Sequence, residues 1–277
     1  MKPLPPMLQG LGIAPYDGFI LDLWGVVHDG VAPFPAAIDA LLQIKKTGKK
    51  AWLLSNAPRR VSVIAQRLSD MGISPHLYDG LMTSGEASHL ALSSSLLQKW
   101  GRKCFHMGAA KDNSILVGLD VDVVQNITDA DFILNSAAVD AAEGVAQYES
   151  LLATAAKLGI PMLCANPDMI VHVGERLLFC AGTTADMYER MDGSVTYFGK
   201  PHRDVYSRVL ENMQGTKRIL AVGDSMVTDI RGAVGAGIDS ALVVSGIHRE
   251  EYAKISEKNF LAGYIFTPTY LMDHLRW

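Results

Sequence analysis

Cysteine is scarce in this chain, three residues in 277, and Cys104, Cys164 and Cys180 are far apart and each set in an apolar run. An odd, widely spaced set excludes the disulfide framework that staples small secreted domains, and no spacing among the three matches a thiolate metal site. Buried thiols in a reducing compartment fit instead. An excess of one charge sign is also missing, since 25 basic against 29 acidic residues leave a formal net charge of -4. A nucleic-acid backbone or an anionic membrane surface is met by a basic footprint, so neither is expected as a partner. Long apolar runs are absent as well: none approaches the ~20 residues that span a bilayer. The opening MKPLPPMLQG has proline where a secretory signal places its apolar stretch. The expectation is a soluble, unexported, cytoplasmic protein. There is no internal repeat and no low-complexity tract.

What the chain does have is a 49% hydrophobic and 19% charged composition over a length that suffices for a sizeable core and for two domains. Short β-rich apolar runs alternate with stretches of helical period, the pattern of βα units and a parallel sheet. The run Phe19 to Trp24 reads as the first strand. Residues 35–47 follow as a helix, with Ala37, Leu41, Leu42 and Ile44 at helical spacing and Gly48 as a stop. Ala51 to Leu54 reads as a strand and Val61 to Met71 as a helix, and another unit starts at Leu81. From about Ser84 a second set of units begins, with strands near 103–107, 132–134 and 162–165 that could form their own sheet. Core-like units resume near Val195 to Phe198 and run through strands at 219–222 and 241–244. The expected fold is an α/β, doubly wound parallel-sheet core of residues 1–83 and 194–277, carrying residues 84–193 as an inserted α/β domain.

In open parallel sheets, ligands sit outside the carboxyl ends of the strands, so polar residues directly after apolar runs are the ones to inspect. Four places stand out: Asp22, Ser55-Asn56, Gly199-Lys200-Pro201, and Gly223-Asp224-Ser225 followed by Thr228-Asp229. An ionised carboxylate inside a strand is costly unless paired, metal-bound or at a solvent-reaching edge, so Asp22 needs a partner. Two such carboxylates at one sheet edge, Asp22 and Asp224, make a hard oxygen site suited to Mg²⁺. Ser55 offers a hydroxyl, and the N–H groups near Asn56 can cup an anion. Lys200 can place one positive charge on a phosphoryl oxygen. Each feature alone has a blander reading, as a turn, a helix cap or a solvated lysine.

The order of the four is what carries the argument. Quoted as LDLWGVVHDG, LLSNAPRR, GKP and VGDSMVTDI, the set resembles the signature motifs of the haloacid dehalogenase superfamily. A large insertion between the second and third motifs matches the subfamily IIA branch, with 4-nitrophenyl phosphatase-like, nucleotide and sugar phosphatase-like members. TSGEA, ANPD and FCAGTTADMYER extend the likeness over nearly the whole chain. The resemblance implies a Rossmann-like core with an inserted cap. It also implies a Mg²⁺-dependent hydrolase of a small phosphorylated metabolite, in which Asp22 is the nucleophile and forms an aspartyl-phosphate. Ser55, Asn56 and Lys200 would hold the phosphoryl group. Asp22, Asp224 and the Trp24 carbonyl would ligate the metal, with Asp229 supporting it. Asn166 and Asp168 would face the substrate from the cap, although Asn-Pro-Asp is also a strong turn signal in its own right. A homodimer through the cap is a family-level expectation.

One position departs from the pattern. The resemblance implies D-x-D-G, with the second aspartate as general acid and base, and here Trp24 stands there. Indole offers only a hydrogen-bond donor. His28 and Asp29, just downstream, are candidates to take the acid–base role, a polar turn being the alternative. Trp24 either packs within the protein or stacks on a planar substrate group. The competing function is a phospho-ligand binding or regulatory protein that turns over slowly for want of the acid. A dehalogenase is disfavoured, because it has no use for a metal motif.

Overall fold

The structure is a computed structural model that describes residues 4–173 and 176–277. Packing divides the chain into two compact units. One comprises the chain up to Ser55 with Ala65–Met82 and Lys200–Trp277, the other Asn56–Ile64 with Thr83–Gly199.

The strands run along the chain in three groups. The first unit begins with β1 (Gly18–Leu21), β2 (Lys50–Ser55) and β3 (Gly80–Thr83). The second unit supplies β4 (Lys103–Met107), β5 (Asp122–Val124), β6 (Phe132–Asn135), β7 (Ala138–Asp140) and β8 (Met162–Cys164). It continues with β9 (Ile170–Val173), β10 (Arg176–Cys180) and β11 (Val195–Tyr197). The chain then returns to the first sheet through β12 (Ile219–Gly223), β13 (Asp239–Val243) and β14 (Tyr270–Met272).

In the first unit the sheet order is β14-β13-β12-β1-β2-β3. β1 pairs in parallel with β2 on one side and β12 on the other, and β12, β13 and β14 continue in parallel. The chain therefore winds outward from β1 in one direction, leaves, and returns to wind in the other. The switch point falls between β1 and β12, the place where an open α/β sheet opens a crevice at its carboxyl edge. Phe19, Ile20 and Leu21 of β1 are all buried, as expected for a strand covered on both faces. The helix Pro35–Lys46 starts on proline at its first position and ends on two lysines, both favourable to the helix. It presents Ala37, Ala40, Leu41 and Ile44 to the core. Burial of each large aliphatic side chain of this kind is worth roughly 1.5–3 kcal/mol.

The second unit holds a parallel sheet in the order β11-β8-β6-β4-β5 and a small antiparallel sheet in the order β7-β10-β9. Alternation along β6 shows that its sheet is covered on both sides. Ile133 packs with Met162, Leu152 and Tyr188, whereas Phe132 and Leu134 pack with Cys104, Leu92 and Leu163. All three cysteines are free thiols and buried.

Two features differ from the expected layout. Val195–Tyr197 pairs in parallel with β8, so it closes the second sheet instead of resuming the first. The segment after Ser55 also packs with the second unit. Arg59 Nε bonds Asp112 Oδ1 at 2.7 Å, Arg60 forks onto both Glu86 oxygens at 2.7 and 3.1 Å, and Thr83 Oγ1 donates to the Arg59 carbonyl at 2.5 Å. Among the described residues no helix is long and apolar enough to cross a membrane.

Candidate active site

At the switch point, the Asp22 N–H donates to the Val222 carbonyl at 2.9 Å, which carries the β1–β12 pairing one residue past the end of β1. Asp22 and Asp224 thereby leave neighbouring strands at the same edge. Asp229 returns to that edge because Ser225 caps a short helical turn, Met226–Ile230, by accepting the Thr228 N–H through Oγ at 3.3 Å. Asp229 Oδ2 accepts the Ser225 N–H at 3.1 Å, and the buried Tyr206 hydroxyl donates to the Asp229 carbonyl. Asp22, Asp224 and Asp229 are all buried and present oxygens within 4.8 Å of one another.

Lys200 enters this cluster from the start of the returning segment. Its Nζ donates to Asp22 Oδ1 at 2.5 Å and to Asp229 Oδ1 at 2.8 Å, and only 3% of the residue is exposed. Asp224 instead accepts the Ile247 N–H at 2.8 Å. Burial, and after it the charges of Asp22 and Asp229, hold the Asp224 carboxyl well above the usual carboxylate range. Gly25, at φ +76°, and Gly246 press on this carboxylate from two sides, where a Cβ on either would overlap its atoms. Only glycine leaves room there.

Fully ionised, the three buried carboxylates would outnumber the one ammonium by two charges, and without a cation Asp224 resists ionisation. A closely spaced set of hard oxygen donors of this kind fits a divalent cation such as Mg²⁺. Ser55 is buried at the end of β2, on the same sheet edge as Asp22.

The loop after β1 folds around Trp24. Its ring lies 5.4 Å edge-on from the His28 ring and 5.7 Å below the Arg67 guanidinium, and a Cβ on Gly30 would overlap it. Arg67 Nη2 also donates to the Gly30 carbonyl at 2.7 Å. Among the described residues the buried indole Nε1–H has no hydrogen-bond partner. His28 Nδ1 accepts the Gly30 N–H at 2.9 Å, which leaves the ring proton on Nε2. Burial, with a smaller push from Arg67, lowers its pKa to about 4, so the ring is neutral at pH 7. Asp29 is exposed, and its Oδ1 accepts the Ala32 and Val31 N–H groups, each at 2.8 Å. Those two bonds, Ala32 first, depress its pKa. Its carboxylate shapes the turn.

In the second unit, Asn56 Nδ2 donates to Asp168 Oδ1 at 2.8 Å, and Asn166 Oδ1 accepts the Asp168 N–H at 3.1 Å. Asn56, Asn166 and Asp168 thus form one bonded group, and Asn166 to Asp168 makes the turn its sequence announces. Sequence reasoning passed over Arg67, Gly25, Gly246 and His248. Only His248 had a signal, as a polar residue soon after the apolar run 241–244.

Two family descriptions match the chain: haloacid dehalogenase-like hydrolase over residues 19–122, and HAD-hydrolase-like over residues 197–277. A solved hydrolase of the haloacid dehalogenase-like family from Brucella suis 1330 is 31% identical, with a TM-score of 0.83 over 98% of this chain and 100% of that one. The D-glycerol 3-phosphate phosphatase of Mycobacterium tuberculosis is 24% identical over 94% of this chain and 70% of its own length. A solved glycerol phosphate phosphatase from Mycobacterium tuberculosis, in complex with magnesium, has a TM-score of 0.70 at 22% identity, covering 94% of this chain and 74% of that one.

Proposed function

Because the chain belongs to the haloacid dehalogenase-like hydrolases, we propose that it is a phosphatase that hydrolyses a small phosphate monoester through a phosphorylated Asp22. The observation that carries the proposal is the buried cluster of Asp22, Asp224, Asp229 and Lys200 at the sheet's switch point. Asp22, Asp224 and the Trp24 carbonyl would hold Mg²⁺, with Asp229 in support. When bound, the ion supplies the positive charge that lets a phosphoryl group approach a carboxylate.

The protein's own groups do the rest. An Asp22 oxygen attacks phosphorus, the ester P–O bond breaks, and the leaving oxygen departs as an alkoxide or aryl oxide that takes a proton from water. Water then attacks the same phosphorus and gives up a proton to solvent, releasing inorganic phosphate and restoring the carboxylate. Lys200 offsets charge on the phosphoryl oxygens while its bonds to Asp22 and Asp229 keep it in register. Ser55, with Asn56 beside it in the chain, contributes donors to the same oxygens. Asn166 and Asp168 select the ester. The non-enzymatic alternative, a phospho-ligand binder, is not favoured: Asp22, Lys200, Asp224 and Asp229 share one buried cluster, and the relatives named above include phosphatases.

The test is a screen of alkyl, sugar, nucleoside and aryl phosphates with Mg²⁺, run beside covalent labelling of Asp22 by a beryllium fluoride mimic. Turnover of at least one ester class, with labelling lost in Asp22→Asn, is the expected result. No turnover of any ester, together with equal labelling of the folded variant, would overturn the proposal.

A further inference from the structure

After β13 the chain turns back through Ser245, Gly246, Ile247 and His248, beside the carboxylate cluster. Two hydrogen bonds tie this turn to the one stretch, Asp224 to Asp229, that carries both carboxylates. The Ile247 N–H donates to Asp224 Oδ2 at 2.8 Å. His248 Nε2 accepts the Met226 N–H at 3.1 Å, and Met226 opens the helical turn on which Asp229 sits.

The ring is held for this purpose. With Nε2 accepting, its proton lies on Nδ1, which is 3.3 Å from Glu251 Oε2. The rings of Phe260 and Tyr264 pack edge-on at 5.3 and 6.0 Å and fix the imidazole plane. The acceptor therefore has one orientation. A ring that served only as filler against Phe260 and Tyr264 would have no need of the bond to Met226.

We infer that His248 is a positioning residue for the cation site, joining the 245–248 turn to the Met226–Ile230 turn so that Asp224 and Asp229 stay at the separation a divalent ion requires. Asp224 and Asp229 lie on one turn, which the Ser225 cap and the Ser225 N–H to Asp229 Oδ2 bond already close, and the two carboxylates repel each other across it; the 245–248 turn braces that stretch from outside. Groups bonded directly to metal ligands commonly act in this way, and their loss typically lowers metal affinity by about 10–100-fold; His248 acts one bond further back, through the Met226 N–H, which places its effect at the tenfold end of that range. The inference rests on the divalent-cation reading of the cluster.

The test separates acceptor from filler and uses Mn²⁺ as the probe, followed through the spectroscopic signal of the free ion. His248→Phe keeps the ring packing and removes the acceptor. It should weaken Mn²⁺ binding about tenfold or more. It should also raise the half-saturating Mg²⁺ for aryl phosphate turnover in proportion, leaving turnover at saturating Mg²⁺ near the parent's. His248→Gln, which restores an acceptor, should return Mn²⁺ binding toward the parent value. Glu251 is largely exposed, so Glu251→Leu folds without difficulty and should shift Mn²⁺ binding in the same direction by less. Folded His248→Phe with parental Mn²⁺ affinity overturns the inference, and if that variant does not fold, parental affinity in Glu251→Leu overturns it. A parent protein that binds no Mn²⁺ and needs no divalent ion overturns the cation reading itself, a separate result.

Discussion

Asp224→Asn should make the cation-free protein more stable, and by an amount that grows with pH. The variant keeps an acceptor for the Ile247 N–H and removes one of three buried like charges. At the 4.8 Å limit of the cluster, two unit charges repel by about 3 kcal/mol at an effective dielectric of ~20. Asp224 faces two such neighbours, while the Lys200 ammonium bonds the other two carboxylates. Burial first, and these two charges after it, hold the Asp224 carboxyl well above its ordinary range. A carboxyl whose pKa is higher in the folded than in the unfolded state binds its proton more tightly when folded. Its stabilising contribution is complete below the unfolded value of ~3.9 and is lost as pH rises toward the folded value, by up to about 1.4 kcal/mol per unit. Asparagine does not titrate. In chelator, the stability gap between variant and parent should therefore widen as pH rises from the ordinary carboxylate range toward neutrality. Each kcal/mol corresponds to roughly 2 °C in a chain of this size. Excess Mg²⁺ should close the gap by stabilising the parent alone, by about 2.7 kcal/mol at a hundredfold excess over its dissociation constant. The assay is urea unfolding followed by tryptophan fluorescence across this pH range, in chelator and in Mg²⁺. A gap that stays flat with pH, or Mg²⁺ that stabilises both proteins alike, refutes the reasoning.

Lys200→Met leaves Asp22 and Asp229 buried without their ammonium and should cost about 3–5 kcal/mol in chelator, measured by the same unfolding assay, along with loss of ester turnover. Trp24→Asp supplies a carboxylic acid two residues after the nucleophile and should raise turnover of alkyl esters by ~10²–10⁴ while changing aryl esters far less, because an aryl oxide leaves without a proton. Circular dichroism must first show that variant folded, since the indole fills the space between His28, Gly30 and Arg67. Asp168→Ala should redistribute kcat/KM among esters with little change in melting temperature, and an equal loss on every ester would assign Asp168 to folding.

The core was legible because its strands are buried on both faces and so read as uninterrupted apolar runs, which makes a polar residue such as Asp22 or Asp224 conspicuous. The order of Asp22, Ser55, Lys200 and Asp224 along the chain then pointed to one edge, and the structure brings Asp22, Lys200, Asp224 and Asp229 into a single cluster there. Other features left no local mark. Val195–Tyr197 is a three-residue strand, half-buried throughout, and only its pairing with Met162–Cys164 assigns it to the second sheet. The membership of residues 56–64 depends on Arg59 and Arg60 reaching partners 53 and 26 residues away. Arg67 lies on a helix like any surface arginine, and its reach to the Gly30 carbonyl and the Trp24 ring is set by how that helix meets the loop after β1. Helical and strand periodicity report which face is buried, and are silent about what a long polar side chain touches across the fold.

On the proposed reading, the charges of four side chains also bear on the order of events at this site. With all three ionised, as a metal site needs them, Asp22, Asp224 and Asp229 outnumber Lys200 by two unit charges, and a phosphate monoester brings about -1.5 to -2 more at pH 7. Each unit pair of like charges at ~4 Å opposes binding by about 4 kcal/mol at an effective dielectric of ~20, more than the hydrogen bonds of Ser55 and its neighbouring amides return. Lys200 cannot meet that deficit alone, because its ammonium is already bonded to Asp22 at 2.5 Å and to Asp229 at 2.8 Å. A bound divalent cation would bring the cluster to neutrality, and the ester would then meet Lys200 and the Ser55 hydroxyl against a background that does not repel it. On the proposed reading, cation before ester would follow from burying three carboxylates around one lysine, whichever alcohol the ester carries.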